Sequence, residues 1–400
     1  MTTEKTKPIK VTVVGIGNSG VKIINRLAAL KESVWLNMVA IDTDAEAIEK
    51  CIVPTKIVAD TQWRNGIGCG GDVIKGQRSL GRERPRINEL LEDTTLLIVT
   101  GGLGGGTATG GAPIFASVAK SRKIPTIFIM TTPFTLEGHS KRRTAEDGVR
   151  ELLPTVDVLL CLPNDLLFSS LPADFPVGDA FEKADIEVAR AILGVSEIMR
   201  CQNLIAADFS DFVAIMNKRK SVCSIGVGTA ASSDGLNRCH LALERMLESP
   251  LLGGAAQMKE ADALFLVMTG GPDLNIGETK MAFEIAAKFI GEDSKVIVGT
   301  NTDPAYADFV QITAITVKFD KKETKEDLRR NNEFGFDPVS SPVRTTVNKA
   351  SLAKDFEQGE LPLQNISKGI FLNTTPVNHN GEDLDVPTYQ RKMIIIDKGE

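Results

Sequence analysis

Histidine is scarce in this chain of 400 residues: there are three, and none stands at the spacing of a metal-ligand set, which argues against a zinc centre. The cysteines at 51, 69, 161, 201, 223 and 239 form no C-x-x-C pair and read as reduced thiols. No apolar signal-type segment opens the sequence and no apolar run is long enough to cross a bilayer, so a cytoplasmic protein without direct membrane insertion is expected. An excess of positive charge is also missing: 46 Lys and Arg stand against 52 Asp and Glu, and the net charge of −6 excludes nucleic acid as the expected partner. No glycine cluster closes with Gly-Lys-Ser or Gly-Lys-Thr, which rules out a Walker A loop. What the chain does have is 42% hydrophobic residues, enough for a substantial core, over a length that suggests two domains and a tail.

Short apolar runs at 10–14, 38–41, 96–99, 126–130 and 156–162 are separated by helix-length segments. Such alternation predicts a parallel sheet covered on both faces, with ligands bound at the carboxyl ends of its strands. One of these ends carries the densest glycine cluster of the chain, Gly101-Gly102-Leu103-Gly104-Gly105-Gly106-Thr107-Ala108-Thr109-Gly110. Glycine clusters elsewhere are often linkers. This one lies between a buried-strand signal and a helix start and carries two threonines, so it reads as a polyphosphate cradle whose hydroxyls and backbone N–H groups face one anion.

A second glycine loop, Gly15-Ile16-Gly17-Asn18-Ser19-Gly20, also follows a strand and opens a helix, and Asp42 ends the next strand. Taken alone, these are the parts of a dinucleotide fingerprint, with Asp42 as the ribose-binding acid of an NAD enzyme. Two phosphate loops on neighbouring strands, however, suit one triphosphate better than a dinucleotide.

Ten segments, VTVVGIGNSG, AIDTDAEAI, GIGCGG, GGLGGGTATGGAP, TPFTLEG, LPNDLL, DAFEKAD, AADFSD, SPLL and MTGGPDLNI, occur in the order found in the tubulin/FtsZ family, and the chain resembles the FtsZ side of that family over residues 9–318. The resemblance implies a Rossmann-like α/β GTP-binding domain (1–178), a long central helix (179–202), a second, smaller α/β domain (203–319), a disordered linker (320–382) and a partner-binding tail (383–400). The helix has its own signal, since Val188, Ile192, Val195 and Met199 share one face. At ~1.5 Å per residue it is on the order of 35 Å long, enough to cross a domain. Later strand signals at 263–269, 295–299 and 311–318 alternate with helices near 235–248 and 277–290.

By the same resemblance, Gly17, Asn18, Ser19, Gly20, Val21 and Lys22, together with Gly104, Gly105, Gly106, Thr107, Ala108 and Thr109, wrap the phosphates of GTP or GDP with Mg²⁺, and Asp44, Gly70, Gly71 and Thr132 belong to the same site. Phe181 stacks on guanine, Asp185 accepts from its N1–H and N2 amino groups, Glu137 and Asn164 hold the ribose, and Lys141 lies near the phosphates. Asp208 and Asp211 are the hydrolytic pair, which completes the site of the next subunit, so activity requires a head-to-tail filament. Asp383, Leu384, Asp385, Val386, Pro387, Tyr389 and Arg391 form a tail peptide that docks membrane-tether and regulator proteins at the division site.

The sequence departs from the family pattern in places. Ala206 stands where Asn is usual beside the first catalytic Asp, Lys22 and Asp42 also replace Asn, Lys141 replaces Arg, and Ala108 replaces Gly. Ala108 fits the loop only with negative φ. Asp42 adds repulsion toward a triphosphate. With Ala206 and Lys141 a slower GTPase is expected, and an FtsZ-like filament former with little hydrolysis is the alternative. The apolar extension Met393-Ile394-Ile395-Ile396 is open between a packing surface and a frayed end.

Overall fold

The computed structural model describes residues 10–59, 66–166, 171–172, 174–200, 221–235, 237–289, 291, 294–319, 378–379 and 382–383. Asp208, Asp211, Ala206, most of the linker, and the tail beyond Asp383 lie outside these residues.

Six strands build the first sheet: β1 (Val11–Ile16), β2 (Asn37–Asp42), β3 (Thr55–Val58), β4 (Leu96–Gly102), β5 (Thr126–Thr132) and β6 (Val158–Pro163). All pairings are parallel and the order is β3-β2-β1-β4-β5-β6. Each strand alternates its apolar side chains between two cores. Val11, Val13, Leu96 and Ile98 face the layer of helix Gly17–Ala28. Val14, Ile16, Leu97 and Val99 face that of helix Gly106–Arg122. Strand order reverses between β1 and β4, and at such a switch point the helices that follow the two strands leave to opposite faces and open a crevice.

The helix Val177–Arg200 crosses from this sheet to a second one. Its residues Val188, Ala189, Ala191, Ile192, Leu193 and Val195 share one continuous core with strands of both sheets. That burial at ~25 cal/mol per Å² ties the two α/β layers together. The second sheet orders β7 (Ser221–Ala231), β10 (Phe309–Phe319), β8 (Ala263–Gly270) and β9 (Lys295–Thr302), with β10 antiparallel to β7 and β8, and β9 parallel to β8. Residues Met1–Gly335 form one compact unit containing both sheets, and Phe336–Glu400 a second. In the latter the described residues make a two-residue antiparallel pairing, Asn378–His379 with Glu382–Asp383.

β7 carries no apolar run and is not among the strands expected from sequence. Its small residues have a reason: a Cβ at Gly228 would lie 1.8 Å from the carbonyl oxygen of Ala242, on the helix Arg238–Leu247 that packs against it.

Candidate functional site

Two helices begin at the switch point, and neither has the cap that a helix start normally needs. The N-cap of Gly17–Ala28 is Ile16 and that of Gly106–Arg122 is Gly105. Neither accepts a side-chain hydrogen bond, and neither first turn contains an acidic residue. Asp44, Asp72 and Asn275 cap other helices of the unit, and those starting at Arg84, His139, Arg238 and Ala255 also lack a side-chain cap; what sets this pair apart is that both starts open onto one crevice. Uncapped N-terminal N–H groups and two aligned helix dipoles facing one crevice make a strong anion site.

The crevice is a cavity of about 580 Å³ lined by residues of both loops, of the segments after β2, β5 and β6, and of the long helix. Of the sequence-predicted residues, Gly17, Asn18, Ser19, Lys22, Asp44, Gly70, Gly105, Gly106, Thr107, Ala108, Thr132, Glu137, Lys141, Asn164, Phe181 and Asp185 line it. Gly20, Val21, Gly71, Gly104 and Thr109 do not. Helical phase explains most of this: successive residues turn by ~100°, so Asn18, Ser19 and Lys22 share the open side while Gly20 and Val21 point into the protein. Thr107 and Thr109, two residues apart, likewise face opposite ways. Thr109 is buried, and its hydroxyl accepts from the backbone N–H of Gly104 at 2.9 Å, so the two groups tie the loop together. Ala108 has negative φ; among the described residues Lys123 alone, glycines aside, has positive φ.

At the phosphate end, Thr107 and Thr43 hydroxyls lie 2.8 Å apart, and the Cys69 thiol donates to Thr43 at 3.2 Å. Asp42, 3% exposed, accepts from the Thr43 N–H at 2.7 Å; burial raises its pKa, while hydrogen bonds from Thr43, Asp44 and Thr107 pull it back down. Helix Val73–Arg82 presses on the loop from behind, where a Cβ at Gly76 would meet the Gly106 carbonyl oxygen at 2.0 Å.

At the other end Phe181, 42% exposed, meets Phe134 in a T-shaped contact with ring centroids 5.4 Å apart. Asp185 sits one turn further along the same helix face. Desolvation pushes its pKa up to about 6, against the opposing pull of Lys22 and Arg26. Glu137 has both carboxylate oxygens engaged, one accepting from the Phe134 N–H at 2.8 Å and the other from Lys141. Asp165 accepts from the Thr135 N–H and hydroxyl at 2.9 and 2.7 Å, and the Asn164 N–H bonds Thr132 O at 3.2 Å, which fixes the loop after β6 to that after β5. Sequence reasoning missed Phe134, Thr43 and Leu251, which also line the cavity. Thr43 stands within a motif already quoted, but nothing in the sequence brings Leu251 of the second layer to the first.

A doubly wound sheet with two uncapped helix starts converging on one cleft, an aromatic platform and a carboxylate opposite them, defines a nucleotide-binding protein with a polyphosphate site. Residues 10–172 match the GTPase domain of the tubulin/FtsZ family, and residues 221–320 match the FtsZ family C-terminal domain. The chain is 33% identical over 395 residues to the cell division protein FtsZ of Pseudomonas aeruginosa, covering 96% of each chain. It is 30% identical over 393 residues to that of Azotobacter vinelandii, again with 96% of each chain covered. An FtsZ dimer structure from M. jannaschii superposes with a TM-score of 0.65 at 29% identity, over 79% of this chain and 89% of that one. The chain belongs to the FtsZ branch of the tubulin/FtsZ family and carries its GTPase domain. This membership sets aside the NAD-enzyme alternative.

Proposed function

We propose that this protein is a GTP-fuelled filament former of cell division, with GTP lying along the cleft between the uncapped helices and the Phe181–Asp185 face. The pair of uncapped helix starts carries the reading: the protein leaves those donors without side-chain caps, and a triphosphate supplies the missing acceptors. The N–H groups from Gly105 to Ala108 and the Asn18–Ser19 turn bind phosphate oxygens, with Lys22 adding positive charge. Phe181 stacks on the base, and the Asp185 carboxylate accepts from N1–H and the N2 amino group, which adenine's edge cannot match. Asn164 and Glu137 face the ribose.

Among the described residues no group of three or more His, Cys, Asp or Glu is placed to hold a metal. Mg²⁺ fits this site as an ion held mainly by phosphate and water, with Asp42 or Asp44 as nearby carboxylates. When bound it neutralises charge on the phosphates. Asp208 and Asp211, from the next subunit of a head-to-tail filament, orient the attacking water in line with the γ-phosphate, and the helix N–H groups absorb the charge that develops. The filament lies in the cytoplasm beneath the membrane, where the tail from Asp383 to Arg391 binds a tether protein. Among the described residues no helix is long and apolar enough to cross a membrane.

A weakly hydrolysing variant is the second reading, favoured by the pairing of Lys141 with Glu137, which engages one of the two lysines that line the cleft. Right-angle light scattering after limiting GTP with Mg²⁺ separates the readings. A GTP-specific rise that decays supports the full cycle, and a rise that persists supports the second reading. Absence of both guanine-nucleotide binding and scattering refutes the proposal.

A further inference from the structure

Glu187 is a buried carboxyl with no part in the cleft chemistry. It is 7% exposed, on the long helix next to cleft-lining Val188. Its Oε2 accepts from the Ser249 hydroxyl at 2.6 Å and from the Leu251 N–H at 3.3 Å. Ser249 also donates to Ile225 O at 3.2 Å, and Leu251 O accepts from the Ile225 N–H at 3.0 Å. The turn Ser249–Leu252 is therefore pinned between β7 and one carboxylate of the helix that carries Phe181 and Asp185. The charge acting on that carboxyl, among the described residues, is Lys183, one turn earlier. The product of this arrangement is Leu251, 3% exposed, whose side chain joins Ala184, Asp185 and Val188 in the cleft wall. Leu251 comes from the second α/β layer, and the other cleft-lining residues come from the first layer or from the long helix.

We infer that Glu187 is a positioning residue that latches the Ser249–Leu252 turn to the long helix, so that Leu251 closes the base end of the nucleotide cleft and couples the second layer to nucleotide retention. The inference rests on the proposed placement of the guanine end at Phe181 and Asp185. A hydrophobic residue would bury in this position with less desolvation cost than a carboxyl. What only an acceptor provides is a fixed partner for the Leu251 N–H and the Ser249 hydroxyl.

The test compares Glu187→Leu, Glu187→Gln, Leu251→Ala and the double variant Glu187→Leu/Leu251→Ala in the full-length chain. Two quantities are read: the dissociation rate of a fluorescent guanine nucleotide, and amide hydrogen exchange at 249–252 without nucleotide. Glu187→Leu should release nucleotide roughly tenfold faster and lose protection at Leu251. Glu187→Gln, which keeps an acceptor oxygen, should restore both. Leu251→Ala should match Glu187→Leu in release, and the double variant should add little to either. Unchanged release in Glu187→Leu, or failure of Glu187→Gln to rescue, overturns the inference while leaving the GTP reading intact. Wild-type protein that binds no guanine nucleotide overturns both.

Discussion

Replacing Asp185 with Asn should make the nucleotide-free protein more stable and its guanine binding much weaker. Burial raises the Asp185 carboxyl from 3.8 to about 6. At 1.36 kcal/mol per pKa unit, holding it ionised in the fold costs at most about 3 kcal/mol, and about 1–2 kcal/mol after discounting for its partial solvent contact. Because the folded-state pKa is raised, the group's contribution to stability is most favourable below 3.8 and is lost as pH rises through 6. The gain from Asp185→Asn in urea unfolding should therefore be near its full value at pH 7.5 and shrink toward pH 4.5. Guanine binding moves the other way. Two hydrogen bonds to a charged acceptor are replaced by a neutral amide that offers one acceptor and two donors, a loss of about 2–4 kcal/mol, or roughly 30- to 1,000-fold in Kd. The amide should in turn favour xanthine, which offers an acceptor where guanine has its amino group. An Asn variant that binds guanine nucleotide as tightly as wild type, with no pH-dependent gain in stability, would refute the assignment of Asp185 to the base edge.

Gly76→Ala should destabilise the protein by about 1–3 kcal/mol and weaken nucleotide binding, because the added methyl drives helix Val73–Arg82 off the Gly106 loop; Gly81→Ala, with nothing within 4 Å, should do neither in thermal denaturation. Arg238→Ala should cost about 1–3 kcal/mol by calorimetry, since the guanidinium side chain is 6% exposed between Asp273 and Glu278, and the half-buried Glu278 keeps only its hydrogen bonds from Asn275. Arg238→Lys should not rescue it, because Lys lacks the fork that reaches both carboxylates and Ser232 at once. A 1:1 mixture of Asp185→Ala and Asp208→Ala subunits, each inactive alone, should regain about one quarter of wild-type GTPase, the share of random head-to-tail contacts that unite an intact cleft with an intact loop. A site completed within one chain would regain none.

Much of the first layer is legible in sequence because its strands are buried on both faces and read as plain apolar runs. The exceptions are physical. β3, Thr-Lys-Ile-Val, is a short, half-covered edge strand with a polar residue in its middle. In the second sheet, β7 carries glycine in place of branched apolar residues at 226 and 228, so that helix Arg238–Leu247 can approach its backbone. The cleft is legible as a set of loops, but not as a set of directions. Thr107 and Thr109 look equivalent in the sequence, and only the start of the helix at Gly106 decides that one faces the cleft and the other the loop interior. Phe134 and Leu251 stand inside the quoted segments TPFTLEG and SPLL, and Glu187 in none, but no segment shows the contacts that give them their roles, which are made with the long helix across long stretches of sequence or, for Glu187, with the turn at Ser249.

Strand order alone does not distinguish this protein from a dinucleotide enzyme. β3-β2-β1-β4-β5-β6 is the order of the doubly wound dinucleotide-binding sheet, and the Gly15–Gly20 loop with Asp42 imitates its fingerprint. In that fingerprint the acid reaches outward to the ribose. Here Asp42 is 3% exposed and turned onto the Thr43 N–H, so it is held inward instead of reaching out from the strand end. The helix after β4 starts without a cap beside the one after β1, so the phosphate site straddles the switch point instead of lying over β1 alone. The chemistry thus follows from two uncapped helix starts meeting at one cleft, a property of the paired loops that neither loop shows by itself.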